Sequence, residues 1–371
     1  MIYHIMIDRF SGDWVRAPRN GNAFLGGTLR GITEHLDYIR SLGATAIMLT
    51  PFFKTAGYHG YHITDYEQVD PHFGTWDDVR ELILQAHSRH MQVIADFVPN
   101  HCHVDHPFFQ SALHDAGSPY RDWFYFSRRN PLSYTSFLWY KELPKFNLER
   151  RPVADYFIGI ATRLIREGID GLRVDHALGV PFSFLSRLRR EVHACNPDAV
   201  VFGEAWPYGV TRRYFNTLFF RSNLRRAFFT LFGIGQEAVQ RDYCGVLDGV
   251  LDFEFRNLLL REIRAGRRLE GNIHLLHRLE KHFTFYEQHG LNTYLFLDNH
   301  DTDRFLFDCH GDKTLLEEAI QLMKDSGKPY LIYYGTECGM QNDRTIFHAE
   351  PYADLRVRQP MDWTGCDKSI Q

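Results

Sequence analysis

Eight short apolar runs, each followed by a helical or long connecting stretch, constrain this chain more than any other feature. They cover residues 3–7, 46–49, 93–97, 171–174, 200–203, 246–253, 294–297 and 329–333. Amphipathic helical patterns fall between them at 29–42, 76–90, 153–167, 182–194 and 313–324. Alternation of this kind predicts an α/β fold with parallel strands, because each crossover returns the chain to the same end of the sheet. Eight such units predict a (β/α)8 TIM barrel, which takes roughly 250 residues and tolerates insertions. A doubly wound open sheet competes, but no G-x-G-x-x-G follows an early strand.

One stretch breaks the alternation. Residues 101–151 show no clear helical period and are rich in Pro, Asp, Tyr and Trp. A structureless loop of that length is uncommon, so a small subdomain inserted after the third strand is expected. The domains then read as a barrel of residues 1–100 and 152–371 with an inserted unit at 101–151.

Composition removes several function classes. Lys and Arg number 42 against 46 Asp and Glu, a net charge of −4. Nucleic-acid binding needs clustered positive charge to displace counterions, so no nucleic-acid partner is expected. No run of 18 apolar residues is present, and no membrane partner is expected. The start lacks a basic region and a small-residue cleavage site, which reads as cytoplasmic; a secreted form already trimmed of its leader would look the same. Six scattered cysteines without a C-x-x-C pair read as free buried thiols. Aromatic residues reach 15%. They can fill a core or line a cleft for flat ligand faces, and composition does not choose.

In parallel barrels the working residues sit where strands end. The third strand ends Asp96-Phe-Val-Pro-Asn100-His101, the fourth reads Gly171-Leu-Arg173-Val-Asp175, the fifth ends Gly203-Glu204-Ala-Trp206, and the seventh ends Asp298-Asn-His300-Asp301. Three strands therefore deliver Asp175, Glu204 and Asp301 to one rim. Arg173 and Asp175, two apart on a strand, face the same side. A single aspartate at a strand end commonly caps a helix, but four such segments in order point to chemistry. Carboxylates stabilise a cationic, oxocarbenium-like transition state, and one acid must protonate the leaving oxygen, as glycoside hydrolysis requires. An arginine beside Asp175 favours its anion. His101 and His300 can hydrogen-bond sugar hydroxyls, and Tyr61 and Trp206 can stack on sugar C–H faces.

On these residues the chain resembles the α-amylase family, glycoside hydrolase family 13, over nearly its whole length. D-F-V-P-N-H (96–101), G-L-R-V-D (171–175), G-E-A-W (203–206) and F-L-D-N-H-D (296–301) are similar to its four signature regions, in order. Asp8-Arg-Phe10, Tyr58-His-Gly-Tyr61 and Tyr333-Tyr-Gly-Thr-Glu337 add support. The resemblance implies Asp175 as nucleophile, Glu204 as acid/base and Asp301 as transition-state stabiliser. It also implies Tyr61, His101, Arg173 and His300 around the scissile glucosyl unit, with Asp96 as a nearby structural acid. The family is retaining, which implies Asp175 and Glu204 carboxyls about 5–5.5 Å apart. Leu143-Pro-Lys145-Phe-Asn147 is similar to a fifth region of the neopullulanase and cyclomaltodextrinase branch, beside the α-amylase and α-glucosidase branches.

Departures from the family bear on metal. Asn100 matches a common calcium-ligand position. Where many amylases carry a Lys-His pair, the His backbone of which binds calcium, this chain has Leu178 and Gly179, and Gly26-Gly27 is followed by Thr28 rather than Asp. Ca²⁺ takes six to eight oxygens, and the sequence does not assemble them, so no cofactor is expected to be required. The family normally continues into a β-sandwich after the barrel, and with the sequence ending at Gln371 that domain is expected to be absent unless the chain is a truncated form. The expected activity is retaining hydrolysis of α-glucosidic bonds in an α-linked glucose oligosaccharide or polysaccharide. The rivals are an α-glucan transglycosylase using the same intermediate and a non-catalytic amylase-like scaffold or sugar-binding protein. Oligomeric state is not legible.

Overall fold

The computed structural model describes residues 1–12, 23–130, 132–348, 350–364 and 366. Eight parallel strands form a closed barrel: β1 (Ile2–Ile5), β2 (Ala46–Leu49), β3 (Gln92–Phe97), β4 (Gly171–Val174), β5 (Val200–Gly203), β6 (Gly249–Leu251), β7 (Asn292–Phe296) and β8 (Tyr330–Tyr333). Each strand neighbours the next in sequence, and β8 lies beside β1. All residues of β1, β2, β4 and β6 are buried. Parallel strands covered on both faces read as continuous apolar runs rather than alternating ones, which is why all eight were visible as short hydrophobic blocks.

The chain divides into two compact units, Met1–Thr50 with His72–Val93 and Leu251–Gln371, and Pro51–Pro71 with Ile94–Val250. In the first, helix Trp76–Ser88 opens on a capping box between Thr75 and Asp78 and buries Val79, Leu82, Ile83 and Ala86. The pattern at 29–42 is two helices, Leu29–Glu34 and Leu36–Ser41, parted at His35, whose Nδ1 lies 2.7 Å from the Gly31 carbonyl oxygen. The expected strand at 246–253 shortens to β6, because Asp252 accepts from Phe255 N at 3.0 Å and caps helix Phe253–Arg264. Helix Ile273–Gln288 follows. Cys338 and Cys366, 28 residues apart in sequence, are joined by a disulfide, so the expectation of six free thiols is corrected for these two; Cys102, Cys195, Cys244 and Cys309 are free.

In the second unit, helix Arg151–Arg166 takes Pro152 in its first turn and buries Phe157, Ile158, Ala161 and Leu164, among others. A hairpin of Phe53–Thr55 and Ile63–Val69, absent from the sequence reading, precedes β3. Residues 101–151 hold helix Pro107–His114 and a two-stranded sheet of Ser136–Phe137 and Tyr140–Pro144. Their core is aromatic: Phe124 stacks on Phe146 at 4.8 Å, and Phe109 meets Phe124 and Tyr134 edge-on at 5.0 and 4.8 Å. Much of the aromatic excess is therefore packing. Among the described residues, no helix is long and apolar enough to cross a membrane.

Candidate active site

Adjacent strands bring Asp96, Arg173, Asp175 and Glu204 together. β3 and β4 pair in parallel with Asp96 opposite Arg173, so the two side chains leave the same face side by side. Arg173 Nη1 donates to Asp96 Oδ1 and Oδ2 at 2.8 and 2.7 Å, and to Asp175 Oδ1 at 3.1 Å. Its Nη2 pairs with Glu204 Oε1 at 2.9 Å. One guanidinium thus holds three carboxylates, all buried. Burial works against the guanidinium's charge, but Asp96, Glu204, Tyr61 and Asp175 outweigh it and hold its pKa well above the ordinary value. The two-residue spacing of Arg173 and Asp175 did put them on one side.

The backbone carries the acids past the strand ends. Asp175 N donates to Phe97 O, and Glu204 N to Val174 O, each at 2.9 Å. His176 then turns into the left-handed region, φ 40° and ψ 54°, a conformation that is costly for a residue with a Cβ. The turn aims its N–H at Glu204 Oε2, 3.0 Å away. Glu204 is therefore held by an ion pair at Oε1 and a backbone donor at Oε2. His176 was not singled out from sequence; nothing in residue type marks a left-handed histidine.

Tyr61 donates its hydroxyl to Asp96 Oδ2 at 2.6 Å. Its loop needs Gly60, which has φ +88° and where a Cβ would lie 2.0 Å from Pro51 O. His101 is buried, and burial pushes its pKa down to about 3, helped by His62 and Lys145. Asn100 fixes its tautomer. Lys145 Nζ donates to the Asn100 side-chain oxygen, and an ammonium has no acceptor. The amide nitrogen must therefore face His101 Nδ1, 3.1 Å away, leaving the ring proton on Nε2. Trp206 is half-buried and stacks on exposed Tyr208 at 4.9 Å.

His300 and Asp301 belong to the other unit. His300 Nε2 lies 2.9 Å from Asp301 Oδ2, and Arg358 Nη2 donates to Asp301 Oδ1 at 2.8 Å. Arg358 Nε also donates to the His300 carbonyl at 2.9 Å. Arg358 was missed as a site residue, since its partner lies 57 positions away. Asp298 is a structural acid, accepting from Phe305 N at 2.8 Å and Thr336 Oγ1 at 2.7 Å.

The candidate calcium position fits a metal poorly. The oxygen of Asn100 is taken by Lys145. Among the described residues, the one group of three acidic, histidine or cysteine side chains close enough to share an ion is Glu337, Cys338 and Cys366. Two of these are the disulfide pair.

A model of the α-amylase catalytic domain matches residues 11–369. The chain belongs to the α-amylase family. It is 33% identical to α-amylase 2 of Dictyoglomus thermophilum, covering 98% of this chain and 59% of that protein. It is 30% identical to neopullulanase 2 of Thermoactinomyces vulgaris, again covering 98% and 59%. The α-amylase of Geobacillus thermoleovorans, solved in complex with acarbose, superposes with a TM-score of 0.76 at 30% identity over 98% of this chain and 74% of the other. A cyclomaltodextrinase structure superposes with a TM-score of 0.77 at 28% identity, covering all of this chain and 60% of the other. This α-amylase-family chain spans less than two thirds of the length of the curated relatives named here.

Proposed function

We propose that this α-amylase-family chain hydrolyses α-glucosidic bonds in malto-oligosaccharides or related α-glucans with retention of anomeric configuration. One observation carries the reading: Arg173 holds Asp175 and Glu204 with its two terminal nitrogens, presenting two buried carboxyls from neighbouring strand ends. Retaining glycosidases need such a pair. Asp175 attacks the anomeric carbon while Glu204 passes a proton to the leaving oxygen. Glu204 then takes a proton from water as that water attacks the same carbon and releases Asp175. The family resemblance assigns Asp301 to stabilising the transition state and Tyr61, His101, Arg173 and His300 to surrounding the sugar, with Asp96 anchoring Arg173; the half-buried Trp206 offers an aromatic face on which a sugar can stack. Residues 101–151 act as the inserted subdomain of the barrel.

Proton NMR of maltotriose digestion tests the reading. The α-anomer should appear first and mutarotate later; initial β-anomer contradicts it. Excess maltose as acceptor separates hydrolysis from transfer, because a transglycosylase would build longer oligosaccharides. The cytoplasmic placement is also proposed, supported by 30% identity to an intracellular maltogenic amylase of Bacillus subtilis. The Cys338–Cys366 bond pulls the other way, since such bonds persist mainly in oxidising compartments. Thiol labelling of freshly lysed, denatured protein decides: all 6 cysteines react if it is held reduced, and only the free ones if it is not.

A further inference from the structure

We propose that the ammonium group of Lys145 takes the place of a divalent cation beside the active site, so that this corner of the fold is held without a metal. Lys145 is 2% exposed. Its Nζ donates to Asn100 Oδ1 and to the Gly179 carbonyl oxygen. These are the two positions at which the family resemblance expects calcium ligands, a side-chain amide after the third strand and a backbone carbonyl four residues past Asp175. The ring of Phe219 closes another side, its centroid 5.5 Å from Nζ. Two neutral oxygens and an aromatic face suit an ammonium; they fall far short of the six to eight oxygens that Ca²⁺ collects.

The backbone is built for this arrangement. Lys145 pairs with His101 as an antiparallel bridge, and Phe146 N donates to Asn100 O at 3.0 Å, so residue 145 is fixed opposite the loop it serves. A Cβ at residue 179 would lie 2.3 Å from Asn100 Oδ1 and 2.6 Å from His176 Cδ2. Glycine there admits the amide oxygen to its place beside Nζ, and the departure from the family's Lys-His pair follows from the same geometry. One side chain from residues 101–151 thereby ties the loop after β3 to the turn after β4, next to Asp175 and His101.

The test uses the full chain and does not depend on catalysis. Wild-type protein freed of metal should show the same Tm in millimolar EDTA and in millimolar CaCl₂, and calorimetric titration with CaCl₂ should show no saturable binding at this corner. Lys145→Met should lower the Tm by several degrees in both media, because two buried oxygens lose their donor. Saturable calcium binding by the wild type that Asn100→Leu abolishes would overturn the proposal. So would a Lys145→Met protein whose Tm in EDTA equals that of the wild type. If Lys145→Met does not fold, the wild-type and Asn100→Leu titrations still decide.

Discussion

Arg173 and Lys145 are both buried cations in the same unit, and they are held in opposite ways. Arg173 meets three carboxylates, from Asp96, Asp175 and Glu204. Lys145 meets a side-chain amide, a backbone carbonyl and a phenyl ring. Where counter-charges surround the cation, burial is outweighed and the charge is locked. Where the opposing charge is the weaker influence of Glu149, burial wins and pushes the Lys145 pKa down to about 7, and the N–H donors do the holding. A site that handles developing positive charge needs fixed anions, which a permanently charged guanidinium can organise. A structural corner needs only its oxygens satisfied.

The largest expected effect breaks the catalytic side of this contrast. Asp175→Asn or Glu204→Gln should reduce kcat on malto-oligosaccharides by a factor on the order of 10⁴. The Tm should stay within a few degrees of the wild type, because Arg173 keeps two carboxylates. Near-full activity in either variant would refute the assigned roles. Arg173→Lys comes next. A compact ammonium cannot fork between Asp96, Asp175 and Glu204, and buried carboxylates that lose their partner cost about 3–5 kcal/mol. Urea denaturation should show a loss of that size together with a fall in kcat/KM; unchanged stability would mean that the guanidinium's geometry is not what holds the acids.

The barrel was legible because parallel strands covered on both faces leave unbroken apolar blocks, and the grouping of Asp96, Asp175 and Glu204 on Arg173 because these residues lie at or just past the ends of neighbouring strands. What escaped was set by contacts distant in sequence or by local caps. The block 246–253 reads as one strand until Asp252 is seen capping the helix that begins at Phe253. Arg358 on Asp301 and Cys338 with Cys366 leave no periodic trace. Lys145 stood out as one letter of a motif, and only the fold shows it reaching 45 residues back to Asn100 and 34 forward to Gly179.

Trapping the covalent intermediate tests the central claim most directly. The chain is incubated with a 5-fluoro-α-glucosyl fluoride, digested and sequenced by mass spectrometry. The glycosyl group should sit on the peptide carrying Asp175, and Asp175→Asn should abolish labelling. An adduct on another carboxylate, or labelling that Asp175→Asn leaves intact, would contradict the account.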